Sequence, residues 1–278
     1  MALIAVKLLL APNFVVGASL AARRFGPRIG GLVGGLPLVA GPILLVYALA
    51  HGRAFAAGAA AGTLLGVVSL AAFVVVYARL AGRLFWGASM LAGWLAFVLA
   101  TVAFSELSIP AGAALALAGA SLLLGLAALP RPGSPPLTRT RPPTWDLPLR
   151  AACALALVLA LTAVSGWLGP QLSGLLAPFP VITTVLATFT HAQRGTDDLL
   201  RLLRGMLAGF GAFALFCFTL AVLLDRLDTA GAFALATGLA LLMQAAVLAM
   251  TRSGQLSMPS RASWWRTRSR SSAKRVAS

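Results

Sequence analysis

Nine times between its charge clusters the chain runs through stretches of about 20 apolar residues, the length a helix needs to cross a bilayer core. The approximate limits are Leu3 to Ala21, Gly30 to Ala50, Ala56 to Ala78, Phe85 to Phe104, Ile109 to Leu129, Ala151 to Leu168, Leu172 to His191, Met206 to Leu224 and Gly231 to Met250. With 60% hydrophobic and 10% charged residues over 278 positions, the sequence has too little polar surface to enclose one soluble core. In lipid every backbone amide must find a partner within the protein, which leaves helices or closed barrels. A barrel strand alternates apolar and polar residues, whereas these runs are unbroken Ala, Leu, Val and Gly. The fold expected is all-α, a polytopic transmembrane bundle of about nine spans.

Nine spans sort the charges sharply. All but three of the 22 Lys and Arg residues fall on one side: Arg23, Arg24, Arg28, Arg79, Arg83, Arg131, Arg139, Arg141, Arg150, Arg194, Arg201, Arg204 and the C-terminal tail. Lys7, Arg53 and Arg226 fall on the other, and the six acids divide evenly. The positive-inside rule then places the N-terminus outside and the C-terminus inside. A missed span would swap the side of every later loop, so the bias supports the count. In the first segment the basic residues follow the apolar run, which reads as a retained span and not as a signal peptide.

The chain also repeats itself. A shift of 143 residues lays GPRIGGLVGGLP, Gly26 to Pro37, on GPQLSGLLAPFP, Gly169 to Pro180, and continues without a gap to Leu80 and Leu223. Thirteen of the 55 aligned positions are identical, about twice what shared composition supplies, so the stronger signal is which residues agree. Pro27 meets Pro170, Pro37 meets Pro180, Gly52 meets Gly195, and Gly62 and Gly66 meet Gly205 and Gly209; the same shift places Lys7 on Arg150. Each unit holds four spans and Ile109 to Leu129 has no counterpart, so the second unit faces the opposite way, as 4 + 1 + 4. Inverted repeats are a building plan of secondary transporters, whose substrate site lies where the repeats meet. The divisions expected are 1–105 and 148–250 for the two units, 106–130 for the linking span, 131–147 for a cytoplasmic Pro/Arg-rich linker and 251–278 for a basic disordered tail.

A proline inside a membrane helix removes a donor and frees a carbonyl, bending the helix. Pro37 in unit one, and Pro178 and Pro180 in unit two, therefore mark a candidate substrate region, with Thr183 and Thr184 following in unit two. Threonine hydroxyls also bond the carbonyl one turn back, which is the structural alternative. Asn13 and Gln244 are the amides deepest in lipid, either substrate contacts or hydrogen bonds between helices. Lys7 and Arg150 stand near the first span of each unit, placed either to snorkel toward the interface or to hold a substrate. Glu106 and His191 read as interfacial, and Cys153 and Cys217 as small apolar residues without metal-ligand spacing.

Gly58, Gly62 and Gly66, with Gly205, Gly209 and Gly211, allow close helix contact within the chain or in a homodimer. No phosphate loop, zinc motif or nucleophile set is present, so no enzymatic activity, cofactor or metal is expected. The tail, with Trp264 and Trp265 among its arginines, reads as lying against anionic lipid headgroups, and no motif points to nucleic acid.

Gly174, Leu175, Pro178, Phe179 and Pro180, with Arg150 before them, resemble the turn into the second span of GlpM-type small bacterial inner-membrane proteins. Unit one keeps Lys7, Gly31, Leu32 and Pro37 of this pattern but has Gly34, Gly35 and Leu36 in its middle. The resemblance implies a duplicated unit and a link to exopolysaccharide production. The paired plan is also similar to drug/metabolite-type transporters, whose first-span glutamate is missing here. Two functions are therefore expected: transport of a small solute or lipid-like molecule between the units, or a scaffold for a membrane-bound biosynthetic system.

Overall fold

The computed structural model of the protein describes residues 2–105, 109–133, 143–160 and 179–256. Among these residues the structure is entirely helical, with nine helices and no strand. They are α1 (Ala2–Phe25), α2 (Pro27–Gly34), α3 (Ala40–His51), α4 (Arg53–Leu80), α5 (Trp86–Ser105), α6 (Ala111–Ala128), α7 (146–160), α8 (Val181–Leu223) and α9 (Thr229–Leu256). Five stretches are long and apolar enough to cross a membrane: Arg53–Leu80, Trp86–Phe104, Ala111–Ala128, Val181–Leu223 and Thr229–Met250. Their outward faces carry large apolar side chains, such as Leu91, Leu95 and Leu99 at one-turn spacing on α5, each about 60% exposed. Such stripes are compatible with a bilayer and poorly suited to water.

The second expected span is not one bent helix but two short ones, and the hydrogen bonds show how Pro37 divides it. Val33 would accept from residue 37 one turn on, yet proline has no N–H. The Leu36 amide turns back to the Val33 carbonyl instead, at 3.2 Å, and so leaves the Leu32 carbonyl without its helical donor. Gln244 of α9 replaces it, its side-chain amide donating to Leu32 O at 2.7 Å. After the break the Leu38 amide closes on Leu36 O at 2.8 Å around Pro37, and Gly41 N–H on Pro37 O at 2.9 Å starts α3.

The turn around the proline and the helix restart recur 143 residues later. The Val181 amide closes on Phe179 O at 2.8 Å around Pro180, and Thr184 N–H on Pro180 O at 2.8 Å starts α8. Pro180 has φ −77° and ψ 59°, the geometry of an inverse γ-turn. Fifteen residues after Pro180, α8 turns a corner at Gly195, with φ 78° and ψ −178°. Gly52 joins α3 to α4 in nearly the same conformation, with φ 89° and ψ 165°. These values lie in a region open almost only to glycine. The helices that follow, Arg53–Leu80 and residues 196–223, begin and end 143 positions apart.

The corner also revises the expected loop between His191 and Met206. Charged residues there remain helical because Asp198, fully buried, is bonded by Arg194 at 2.9 Å and Arg201 at 2.6 Å. Arg194 precedes the corner and Asp198 follows it, so the ion pair braces the turn.

Glycines set the closest helix contact. A Cβ on Gly31 would collide with the Leu202 carbonyl, one on Gly205 with the Arg28 carbonyl, and one on Gly209 would stand 2.6 Å from Leu32 O. The backbones of α2 and the second arm of α8 therefore touch, the geometry that small residues permit where lipid offers no hydrophobic drive for association. Gly58 and Gly62 of α4 meet nothing within 4 Å among the described residues. A Cβ on Gly125 of α6 would stand 3.4 Å from both Val75 of α4 and Leu207 of α8, so the sixth helix sits between the two.

Hydrogen bonds also gather loops at two ends of the bundle. At one, Arg79 reaches Ala128 O, Thr196 reaches Ala81 O, Arg204 reaches Leu129 O and Arg23 reaches Asp146. At the other, Arg53 reaches Leu227 O. The first set joins only loops that the charge pattern assigns to one side, and the second joins only loops it assigns to the other.

Candidate functional site

The most polar buried cluster forms where the end of α1, the start of α2, the start of α7 and the first arm of α8 meet. Glycine decides the local path: α1 stops at Phe25, Gly26 takes φ 98°, and Pro27 opens α2 with its fixed φ. Arg23 is thereby left on the last turn of α1, facing α7. Asp146 begins α7 as its amide closes on Pro143 O at 3.2 Å.

Asp146 is 1% exposed and Arg150, one turn later, 6%. The Asp146 carboxylate accepts from Arg23 at 2.6 Å, from Arg150 Nε at 3.0 Å to both oxygens, and from Gln193 Nε2 at 2.7 Å. Arg150 also reaches Gln193 Oε1 at 3.3 Å, and its guanidinium lies over the Phe189 ring at 4.8 Å, an arrangement stabilising for a desolvated cation. Burial pushes the Asp146 carboxyl upward, but the bonds from Arg23 and Gln193 and the charge of Arg150 outweigh it, and its pKa is held below the ordinary carboxylate value. A buried charge is tolerated only when paired and hydrogen-bonded in this way.

Around the cluster opens a cleft of about 480 Å³. Arg23, Arg150 and Arg194 line it with Ser19, Thr190 and Trp145. Trp145 is exposed, and the Ser19 hydroxyl, 2% exposed, has no hydrogen-bond partner among the described residues. Three of the lining residues are arginines and one, Asp146, is a carboxylate; Arg194 is also paired with Asp198, so the wall of the cleft is net positive.

No protein-family model, no curated protein and no solved structure matches this chain. What the cleft can do therefore follows from its chemistry: it is amphipathic, walled by Leu186 and Leu202 as well as by arginines, and its net positive wall suits an anion over a cation.

The residues expected to form a substrate site are dispersed. Among the described residues of that set, Arg150 alone lines the cleft, where it is buried and paired. Thr183 and Thr184 are buried in the first turn of α8, and Thr184 Oγ1 accepts from Trp94 Nε1 at 3.0 Å. Back-bonding to the preceding turn occurs instead at Thr63 and Thr219, each at 2.8 Å. Pro180 is buried beside them and Pro37 is half-buried at the break. Gln244 acts between helices, through Leu32. Asn13 lies on an exposed face of α1. Lys7 belongs to α1, Pro178 lies outside the described residues, and so do Glu106 and the C-terminal tail from residue 257.

Asp146, Arg23, Gln193, Arg194 and Ser19 were not singled out by the sequence. The one local signal was the Asp146 to Arg150 spacing, four residues with the acid first, which favours an ion pair on a helix.

Proposed function

We propose that the protein is a nine-span, bacterial cytoplasmic-membrane transporter of a small solute or lipid-like molecule, built as two inverted four-span units around α6. The observation that carries this reading is the helix broken at Pro37, whose turn around the proline and helix restart recur at Pro180. Discontinuous helices at matched positions of two repeats are where secondary transporters place substrate. Equivalent corners at Gly52 and Gly195 and the position of α6 between α4 and α8 support the repeat. The separation of loops between the two ends supports the topology, with the N-terminus outside. The path runs between α1 and α2 of one unit and α7 and α8 of the other, with the arginine cleft at its cytoplasmic end.

Alternating accessibility tests it. Cys153 and Cys217 are replaced by alanine, single cysteines are placed at Asn13, Val39, Thr183 and Thr184, and sealed vesicles are labelled from each side with a water-soluble reagent. Labelling that switches sides with conditions or ligand is expected, and sites closed from both sides would refute transport. Reporter fusions to the termini test the topology, and an N-terminus found inside would remove the inverted repeat.

One observation favours a second reading, a scaffold or accessory subunit for a membrane-bound biosynthetic system such as that for an exopolysaccharide, in keeping with the GlpM-type resemblance. The backbone contacts at Gly31, Gly205 and Gly209 tie α2 to α8 so closely that little sliding is open to them. Closed sites in the labelling experiment, with retention of the protein in an isolated synthetic complex, would favour it.

A further inference from the structure

We propose that the cleft beside Asp146 is a binding site for a phosphate group, held by Arg23, Arg150 and Arg194, with the Ser19 hydroxyl as an additional donor. The assignment deepens the transport reading and rests on it for the idea that the bound group is cargo. Its chemistry stands on the cleft alone.

Three features select phosphate. A cavity of about 480 Å³ is lined by three arginines against one carboxylate, Asp146, with Arg194 also paired to Asp198, so its wall is net positive, and a phosphate ester carries one to two negative charges. Guanidinium groups match phosphate oxygens with paired N–H donors. The third is Ser19: the residue lines the cleft, and its hydroxyl is nearly wholly buried and without a partner among the described residues. A polar atom so placed is costly unless something fills the space beside it. A buried water or a ligand oxygen would satisfy it.

Asp146 is part of the device. Its carboxylate engages Arg23 and Arg150 as an anion from outside would, so a ligand must share the arginines with it or take its place. Asp198 occupies Arg194 and Arg201 in the same manner from the far side of the corner at Gly195. Replacing the Asp146 carboxylate by a neutral group should therefore strengthen anion binding. A cluster serving stability alone predicts no such gain.

Two sources share this chemistry, a soluble phosphate ester and a lipid headgroup, and two arms separate them. The full-length protein in maltoside is titrated with glycerol 3-phosphate in one arm. In the other it is titrated with phosphatidylglycerol, with the phosphate-free diacylglycerol as control. Binding is read from the rise in unfolding midpoint with ligand concentration and from labelled ligand retained per protein. Saturable binding in the first arm identifies a soluble ester, and in the second a headgroup. Either supports the site, provided that Arg194→Gln weakens binding roughly tenfold, Ser19→Ala weakens it several-fold and Asp146→Asn tightens it. Ser19→Ala deletes only an unpartnered hydroxyl, so it keeps the test decisive should the charge variants fail to fold. Saturation in neither arm, or binding indifferent to Ser19→Ala, would overturn the proposal. Phosphate binding without alternating access would retain the site and remove transport, and alternating access without phosphate binding would do the reverse.

Discussion

Gln244 Nε2 donates to the Leu32 carbonyl across 212 residues of sequence, at 2.7 Å and fully buried. The bond completes a chain of substitutions that Pro37 begins: residue 37 has no N–H, Leu36 donates to Val33 O in its place, and Leu32 O needs a new donor. Gln244→Leu should therefore lower stability by about 1 kcal/mol, within the range for a buried acceptor left unpaired. In a Pro37→Ala background the helix can close normally, and the same substitution should cost much less. A double-mutant cycle on unfolding midpoints reads this coupling. Equal costs in the two backgrounds would show that the proline and the glutamine are independent.

The corners at Gly52 and Gly195 place a second prediction on backbone conformation alone. Among the described residues nothing lies within 4 Å of a Cβ at either position, yet their φ values of 89° and 78° exclude ordinary side chains. Alanine at either should cost about 1–3 kcal/mol, whereas a D-alanine introduced by semisynthesis at Gly195 should cost little. If L-alanine is tolerated at both in thermal unfolding, the corners are not as tight as these angles require.

How far the sequence foretold this structure depended on whether a feature is local. Proline and glycine act through their own φ and their own missing atoms, so Pro37, Pro180, Gly52 and Gly195 could be picked out by shifting the chain against itself. Runs of apolar residues likewise reported the five helices long and apolar enough to cross a membrane, because bilayer thickness fixes their length. The end of α8's expected loop was invisible, since a helix through Arg194, Asp198, Arg201 and Arg204 is stable only once Asp198 is buried between two arginines. The cleft was hidden for a similar reason. Arg23 and Asp146 are 123 residues apart, and Asp146 stood in a Pro/Arg-rich segment that reads as a linker until α1 and α8 close over it.

Helix contact through glycine supplies a third prediction. At Gly205 a Cβ meets the Arg28 backbone, which has no rotamer to change, so Gly205→Ala should destabilise by about 1–3 kcal/mol through overpacking. Gly238 of α9 is exposed and has open space beside it. Gly238→Ala should be neutral or slightly stabilising, as alanine is the better helix former. The pair is compared by unfolding in detergent. A Gly205→Ala protein as stable as Gly238→Ala would mean that α2 and α8 do not approach backbone to backbone.

The last prediction concerns pH and Asp146. Its carboxyl is held below the ordinary value by Arg23, Gln193 and Arg150 despite burial, so the unfolded chain takes up this proton at higher pH than the folded one. The stability contributed by the group is whole above the unfolded pKa of about 4. It is lost as pH falls from there through the lower folded value. Across that acidic window the unfolding midpoint of the natural protein should fall more steeply than that of Asp146→Asn, which has no proton to gain at this position. At neutral pH the variant should be less stable by about 1.5–3 kcal/mol, the usual worth of hydrogen bonds to a charged group. Titrating both proteins between pH 3 and pH 7 isolates the carboxylate, because every other acid is common to the two. Parallel curves would mean that Arg23 and Arg150 are held by something other than its charge.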